Sequence, residues 1–142
     1  MVTIKKYEPK YFEDVRQVCI NTGPKEAATN PAMHDFILFT FCDYYCEQEP
    51  ENAFVLVDEN DVAQGYVFGA TNFWTYIKKI KPYLKKVKKL GKEYYMDALG
   101  EIIGHGNQGA VKQQFNKADM LPALTKNILR TQKITTVPGH MN

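Results

Sequence analysis

The first fifty residues combine a short strand pattern with two amphipathic helix patterns. Residues 2–7 predict an opening strand, and Pro9 predicts a helix start because proline suits the first helical turn. Apolar residues then recur at helical spacing on one face: Phe12, Val15, Val18 and Cys19. The polar stretch 21–24 ends this helix. A second helix is predicted over 31–48, and its dense apolar side indicates heavy burial.

A β-hairpin is the clearest local pattern in the chain. Residues 53–57 are mostly apolar, and residues 62–70 return with the aromatic and β-branched residues that strands favour. Between them, residues 58–61 read Asp-Glu-Asn-Asp, and the side chains of Asp and Asn favour turns by bonding nearby backbone. The pattern therefore predicts two antiparallel neighbours in a sheet.

Helical spacing returns over 73–90, with apolar residues on one side and lysines on the other. Pro82 is expected to bend or split this helix, and Gly91 to end it. A further short helix is predicted over 94–99, ended by Gly100. The remaining predictions are a loop at 104–109, a helix over 110–117, an ambiguous element over 124–131 and a β-prone stretch over 134–137.

Two stretches of the sequence resemble a known enzyme family. IKKYEPKYFEDVRQVCINTGP resembles the opening of bacterial GNAT proteins, the acyl-CoA-dependent N-acetyltransferases. FCDYYCEQEPENAFVLVDENDVAQGYVFGA resembles their second helix and the hairpin that follows. The order strand, helix, helix, hairpin, helix is also how these domains begin. The resemblance covers residues 2–105 of one domain, 1–142, and implies an α/β (α+β) fold with a mixed, mostly antiparallel sheet flanked by helices.

The resemblance also implies acetyl-CoA as cosubstrate and an amine, on a small molecule or a peptide, as acceptor. In this family a strand runs into a Q/R-x-x-G-x-G/A turn, whose backbone N–H groups and helix N-terminus hold the pyrophosphate. That motif is missing here: residues 120–130 resemble only a degraded form of the strand, and Gln132 has no glycine three residues later. Asn127, Ile128 and Leu129 are the candidates for backbone contact with the cofactor in that strand's position.

The missing motif leaves two interpretations of function. The first is a GNAT-like N-acetyltransferase, inactive if the pyrophosphate is not held. The second is a non-catalytic interaction module, or a half-domain that completes its sheet with a partner chain, such as a homodimer formed through an exposed sheet edge. Under both interpretations residues 106–142 are expected to be diverged or truncated, and the fold to be incomplete on its C-terminal side.

An aromatic group after the hairpin is the candidate substrate contact. The resemblance places Phe73, Trp74 and Tyr76 near the acceptor site, where an aromatic wall would face the substrate, although core or surface packing is the simpler interpretation. An acidic run can attract a cationic amine, with a solvated helix end as the simpler alternative: Glu47, Glu49 and Glu51. The three histidines are scattered, so no catalytic residue is assigned.

Composition fits a folded domain without metal or disulfides. Of 142 residues, 44% are apolar and 24% charged, which are ordinary globular values. Three cysteines lack both framework and zinc spacing, so reduced thiols and no bound metal are expected. The glycine-rich stretch 104–109 lacks a Walker A ending. The N-terminus has no signal-peptide pattern and no apolar run reaches the ~20 residues of a membrane span, so a cytoplasmic protein is expected.

Positive charge is concentrated in one segment although the net charge is only +2. Eight lysines lie between Lys78 and Lys92, on the polar side of the predicted helix. Such a face can meet nucleic acid, an anionic membrane surface or the phosphates of CoA, while a solvated helix face explains it without any ligand. Nucleic acid is disfavoured, because arginines are scarce and aromatic residues for base stacking are few.

Overall fold

The computed structural model describes residues 2–105 and 110–115, with side chains described over 2–103. The elements are β1 Thr3–Lys6, α1 Phe12–Asn21, α2 Pro31–Leu38, α3 Tyr44–Gln48, β2 Phe54–Val57, β3 Ala63–Ala70, α4 Phe73–Leu90, α5 Lys92–His105 and β4 Ala110–Phe115. Short 3-10 turns lie at Pro9–Tyr11, Lys25–Ala28 and Pro50–Asn52. The predicted opening strand, first helix and hairpin are confirmed.

The four described strands form one antiparallel sheet in the order β1-β2-β3-β4. β1 pairs with β2 from Thr3 opposite Val57 to Lys6 opposite Phe54. β2 pairs with β3 across the hairpin, with an irregularity between Leu56 and Val57. β4 pairs with the other side of β3 through six residue pairs. Within the described sheet, β1 and β4 are therefore the two edge strands.

The hairpin turn is held by Asp61, whose φ is 61°. Tyr11 Oη donates to Asp61 Oδ1 at 2.6 Å, and Lys10 Nζ lies 2.9 Å from Oδ2. Lys5 Nζ lies 3.3 Å from Oδ1. Hydrogen bonds from these three side chains, that from Tyr11 foremost, hold the pKa of the Asp61 carboxyl well below its usual range. The turn is thereby joined to β1 and to the chain segment that leads into α1.

Helices cover one face of the sheet. Alternate residues of β2 and β3 point to that face because side chains alternate along a strand. Val55, Tyr66 and Phe68 belong to one apolar cluster with Val15 and Val18 of α1. The alternate residues Phe54, Leu56 and Val67 are buried as well.

The helix predicted over 31–48 forms, but one turn of it is π-helical. Asn30 caps its start, where the side chain accepts two backbone N–H groups of the first turn. The π segment, Phe39–Asp43, separates α2 from α3. A π turn holds an extra residue and is often found at functional sites. Three polar or thiol side chains of this segment are buried: Thr40, Cys42 and Asp43.

One prediction for the next helices is wrong in part and another is wrong. Pro82 does not split α4, which is continuous because the buried side of the helix outweighs one lost backbone hydrogen bond, while the predicted bend stays a prediction. Gly91, with φ 148°, ends α4 as predicted. The short helix predicted over 94–99 is longer and continues past Gly100, since burial of Ala98 and Ile102 outweighs the roughly 1 kcal/mol cost of a helical glycine.

The prediction of a helix over 110–117 is also wrong. Its lysines and glutamines are good helix formers, but pairing with β3 satisfies backbone N–H and C=O groups that would otherwise lack partners. The loop predicted at 104–109 begins inside α5, and residues 106–109 lie outside the described residues. The elements predicted over 124–131 and 134–137 lie outside them too.

The predicted fold class is confirmed: an α+β arrangement with an antiparallel sheet flanked by helices. β3 and β4 are neighbours in the sheet, yet residues 71–109 lie between them in the sequence. This connecting segment contains α4 and α5, which pack on each other, and α4 also packs against α2 and the π segment. The helical pair is therefore part of the same core and not a separate unit.

Candidate functional site

A group of aromatic rings fills the space between β3, α3 and α4. Tyr45 and Tyr66 both stack on Phe68, with ring centroids 5.5 and 4.2 Å apart. Tyr44 meets Tyr76 edge-on at 5.0 Å. Burial raises the pKa of Tyr45, Tyr66 and Tyr76. At neutral pH these phenols stay protonated, so none of them is a base.

Glu49 brings a carboxylate into contact with this aromatic group. Its side chain is buried, and its Oε2 accepts a hydrogen bond from Tyr44 Oη at 2.8 Å. Its Oε1 accepts from Asn52 Nδ2 at 3.2 Å. Burial raises the pKa of Glu49, and these two hydrogen bonds oppose the rise. Glu49 is therefore a better proton acceptor than an ordinary glutamate, although both of its oxygens are already engaged.

Glu47 forms a second carboxylate–tyrosine pair, this time at the surface. Tyr83 Oη of α4 donates to Glu47 Oε1 at 2.6 Å. Burial, and then the hydrogen bond to Glu47, raise the pKa of Tyr83. The acidic run thus divides, because Glu49 is buried whereas Glu47 and Glu51 are exposed. Its attraction for a cationic amine stays a prediction.

Arg16 and Asp43 form an ion pair beneath the π segment. Arg16 Nε lies 3.0 Å from Asp43 Oδ1, and Nη2 lies 3.1 Å from Oδ2, so the guanidinium engages both oxygens. The Asp43 side chain is only 9% exposed. Burial raises the pKa of Asp43, while the hydrogen bonds and charge of Arg16 oppose the rise. The pair ties α1 to the π segment that leads into the aromatic group.

The three cysteines lie buried as free thiols, in agreement with the expectation of reduced cysteines. Hydrogen bonds with Cys19 and Cys46, together with burial, raise the pKa of the Cys42 thiol well above its ordinary value. Because the thiolate is the reactive form, Cys42 is an inert core residue at neutral pH.

The three predicted substrate residues do not form a single wall. Tyr76 is 1% exposed and lies inside the core, whereas Trp74 is 65% exposed. Phe73 packs against the core, and its ring lies 5.5 Å from that of Trp74. Only Phe73 and Trp74 are together near the surface, so a role of these residues in substrate binding stays a prediction.

The strand beside β3 is Ala110–Phe115, not the stretch 120–130 that the resemblance had placed there. The predicted cofactor residues Asn127, Ile128 and Leu129 lie outside the described residues, so their contact with acetyl-CoA stays a prediction. Over the part of the chain described here, no group of acidic, histidine or cysteine side chains has metal-site geometry. No helix in that part is long and apolar enough to cross a membrane.

A small apolar pocket lies between the π segment, α4 and α5. About 200 Å³ of space there is free of protein atoms, open solvent included, so the enclosed part of the pocket is much smaller. Its walls include Tyr76, Tyr83 and Ile102. Thr40 also lines it, and its buried Oγ1 makes no hydrogen bond with the described residues. Its described lining is mostly apolar, and Thr40, Tyr76 and Tyr83 are its only hydroxyl-bearing residues, which are too few polar groups to orient a polar substrate.

Comparison with known proteins gives a fold neighbour and no sequence family. No protein-family model matches the chain, and no curated protein matches it. A crystal structure of a protein called SsHAT is similar, with a TM-score of 0.69 and 19% sequence identity. The similarity covers 94% of this chain and 79% of that one. At this identity the likeness concerns the fold alone.

Sequence reasoning missed the polar contacts around the aromatic group. Arg16 and Asp43 lie 27 residues apart, so no local spacing connects them. Tyr44 and Glu49 are five residues apart, which does not match the three- and four-residue spacing of helix neighbours. These contacts depend on the π segment and on packing between elements, neither of which the hydrophobic pattern predicts.

Proposed function

We propose that this chain is a GNAT-like N-acetyltransferase domain, which transfers the acetyl group of acetyl-CoA to an amine on a small molecule or a peptide. The observation that carries the proposal is the sheet: β1, two helices, the β2–β3 hairpin, and then β4 at the edge beside β3. The fold likeness to SsHAT over 94% of this chain supports the same assignment.

The outer edge of β4 is the proposed place for the cosubstrate. In the described sheet β4 has a neighbour on one side only, so its outward N–H and C=O groups are available to an extended ligand. The pantetheine arm of acetyl-CoA is such a ligand, since it is linear and contains amide groups. The pyrophosphate has fewer expected binding groups, because the sequence lacks the glycine-bearing turn whose backbone N–H groups would hold it. Backbone contacts at Asn127, Ile128 and Leu129 remain part of the proposal.

The reaction needs positioning more than side-chain chemistry. The neutral amine attacks the thioester carbonyl, the C–S bond breaks, and the amine proton leaves to a base or water while the CoA sulfur gains a proton. Glu47 and Glu51 are the exposed carboxylates of the acidic run, and they would draw a cationic amine. Glu49 is engaged in two hydrogen bonds and supports the structure around it.

Calorimetry with acetyl-CoA and with S-acetylpantetheine tests the binding mode. If β4 supplies most of the contact, the truncated ligand binds within about tenfold of acetyl-CoA, since a missing pyrophosphate then costs under about 1.4 kcal/mol. Thiol release with a panel of amines reports turnover. No heat with either ligand at high micromolar protein would contradict the proposal.

Two proline variants, Val111→Pro and Lys112→Pro, sharpen this test. Successive residues of a strand direct their backbone N–H groups to opposite sides, so one variant removes an N–H facing β3 and the other an outward N–H. We expect the variant that keeps its thermal stability to lose acetyl-CoA binding. If that variant binds acetyl-CoA as well as the parent does, the outer edge of β4 is not the site.

The second candidate function is a non-catalytic module that completes its sheet with a partner chain, such as a second copy of itself in a homodimer. The described sheet ends in β4, and an open edge of this kind recruits partners. Light scattering separates the candidates: a dimer that does not bind acetyl-CoA favours the module. A monomer that does not bind acetyl-CoA contradicts both the enzyme and the homodimer.

A further inference from the structure

The exposed side of α4 carries positive charge without any acidic residue. From Phe73 to Lys92 the chain holds eight lysines and neither aspartate nor glutamate: Lys78, Lys79, Lys81, Lys85, Lys86, Lys88, Lys89 and Lys92. All eight are exposed. Protein surfaces ordinarily intersperse both signs of charge, so an uninterrupted basic helix face is unusual.

Five exposed residues make a straight row on this helix, and we name the row the outer face of α4. Its members are Trp74, Lys78, Lys81, Lys85 and Lys89, which are spaced three or four residues apart. At 1.5 Å per residue the row is about 22 Å long. The opposite side of the helix is packed into the core through Tyr76, Ile80, Tyr83 and Val87.

Within residues 2–103, acidic side chains do not neutralise the lysines of the outer face. The charges of Lys79 and Lys86 act on the buried carboxyls of Glu49 and Asp43, where each slightly opposes the rise in pKa that burial causes. The four lysines of the outer face form no ion pair within residues 2–103. Like charges four residues apart, as at 81 and 85 or 85 and 89, repel one another and destabilise the helix. An anionic surface would relieve that repulsion.

Trp74 adds an apolar contact at one end of the row. Its indole is 65% exposed, and Ile103 of α5 is 77% exposed. Tryptophan is enriched at the headgroup level of membranes, where an apolar ring meets a polar layer.

We propose that the outer face of α4 binds an anionic lipid bilayer, with the lysines against the headgroups and Trp74 among them. Nucleic acid fits less well, because α4 contains no arginine and its exposed aromatic residue stands at one end of the row. Binding to single strands uses several aromatic platforms on which successive bases stack. The proposal does not depend on acetyltransfer.

Trp74 is the chain's only tryptophan, so its fluorescence reports the contact directly. We expect a blue shift with phosphatidylcholine vesicles that contain about a third phosphatidylserine. Pure phosphatidylcholine gives none, and the shift declines between 50 and 500 mM salt because the attraction is screened. No shift at low salt, an equal shift with neutral vesicles, or tighter binding to an oligonucleotide than to anionic vesicles would each overturn the proposal.

A matched pair of double variants locates the surface. Lys81→Gln with Lys85→Gln removes two charges from the outer face, and Lys6→Gln with Lys25→Gln removes two exposed charges elsewhere. Each lysine near an anionic surface strengthens binding about fivefold, so the first pair weakens vesicle partitioning about thirtyfold. The second pair weakens it less than about threefold. Equal losses in the two pairs, with both proteins folded by circular dichroism, would mean that net charge and not this face controls binding.

Discussion

Replacement of Arg16 by methionine is the most direct test of the packing under the π segment. Methionine keeps much of the aliphatic length and removes the two hydrogen bonds to Asp43, at 3.0 and 3.1 Å. The Asp43 side chain is 9% exposed and would be left charged without its partner. Removal of one member of a buried pair is far more damaging than replacement of both.

The expected loss at pH 7 is about 3 kcal/mol, the low end of the range for breaking buried pairs, because Arg16 is itself 26% exposed. The loss should depend on pH. Burial already raises the pKa of Asp43, and Arg16 opposes that rise, so the variant has a still higher pKa in the folded state. A raised folded pKa means that the folded state binds the proton more tightly than the unfolded chain, and stability falls as pH rises.

Urea unfolding at pH 7 and pH 4.5 measures this. We expect R16M to recover part of its lost free energy of unfolding at pH 4.5, where Asp43 takes up a proton. Glu13→Gln is the control, because that exposed carboxylate lies 3.8 Å from Arg16 and should contribute less than about 0.5 kcal/mol. A loss below 1 kcal/mol at pH 7, or an equal loss at both pH values, would refute this account of the pair.

Two further pairs of substitutions test local features. Gly91→Ala should lower the free energy of unfolding by about 1–3 kcal/mol, because a φ of 148° is accessible only to glycine. Gly100→Ala should raise it by about 0.5–1 kcal/mol, because this glycine lies in a helix with open space around it. Thermal unfolding of the two variants shows whether the two changes have opposite signs. Tyr44→Phe removes the donor to buried Glu49 and should cost about 1–3 kcal/mol, while Thr40→Val should cost little or stabilise. If Thr40→Val costs more than Tyr44→Phe in urea unfolding, the hydrogen-bond assignment is wrong.

The first half of the fold could be predicted from the sequence because its signals are local. The hairpin has a turn whose side chains bond their own backbone, and Asp58 Oδ1 accepts the N–H of Asn60 and of Val62 as that signal implies. The helices have apolar faces at helical spacing. β4 could not be predicted in this way, because its stability as a strand comes from pairing with residues of β3 that lie forty to fifty positions earlier in the chain. The prediction that Gly100 ends a helix failed for a related reason, since burial of Ala98 and Ile102 outweighed the low helix propensity of glycine.

The candidate site could be predicted only in part. Tyr76 and Trp74 are two residues apart on one helix, about 200° around its axis, so they cannot share a surface, and the structure places one in the core and one in solvent. Helical spacing alone separates them, although the resemblance had grouped them. Glu49 is different: its burial follows from the chain's path after α3, and an acidic run in a sequence gives no signal for it.

The two sides of α4 allow the two proposals to be separated by experiment. The inward side belongs to the core through Tyr76 and Tyr83. The lysines of the outer face of α4 lie on the opposite side of the helix from these tyrosines, so we expect their replacement by glutamine to leave the sheet and the aromatic group intact. If those variants lose vesicle binding and keep the calorimetric signal with acetyl-CoA, the lipid surface and the β4 edge are independent sites. A loss of both would mean instead that the phosphates of CoA lie on the lysines of α4, which places the cosubstrate elsewhere than along β4.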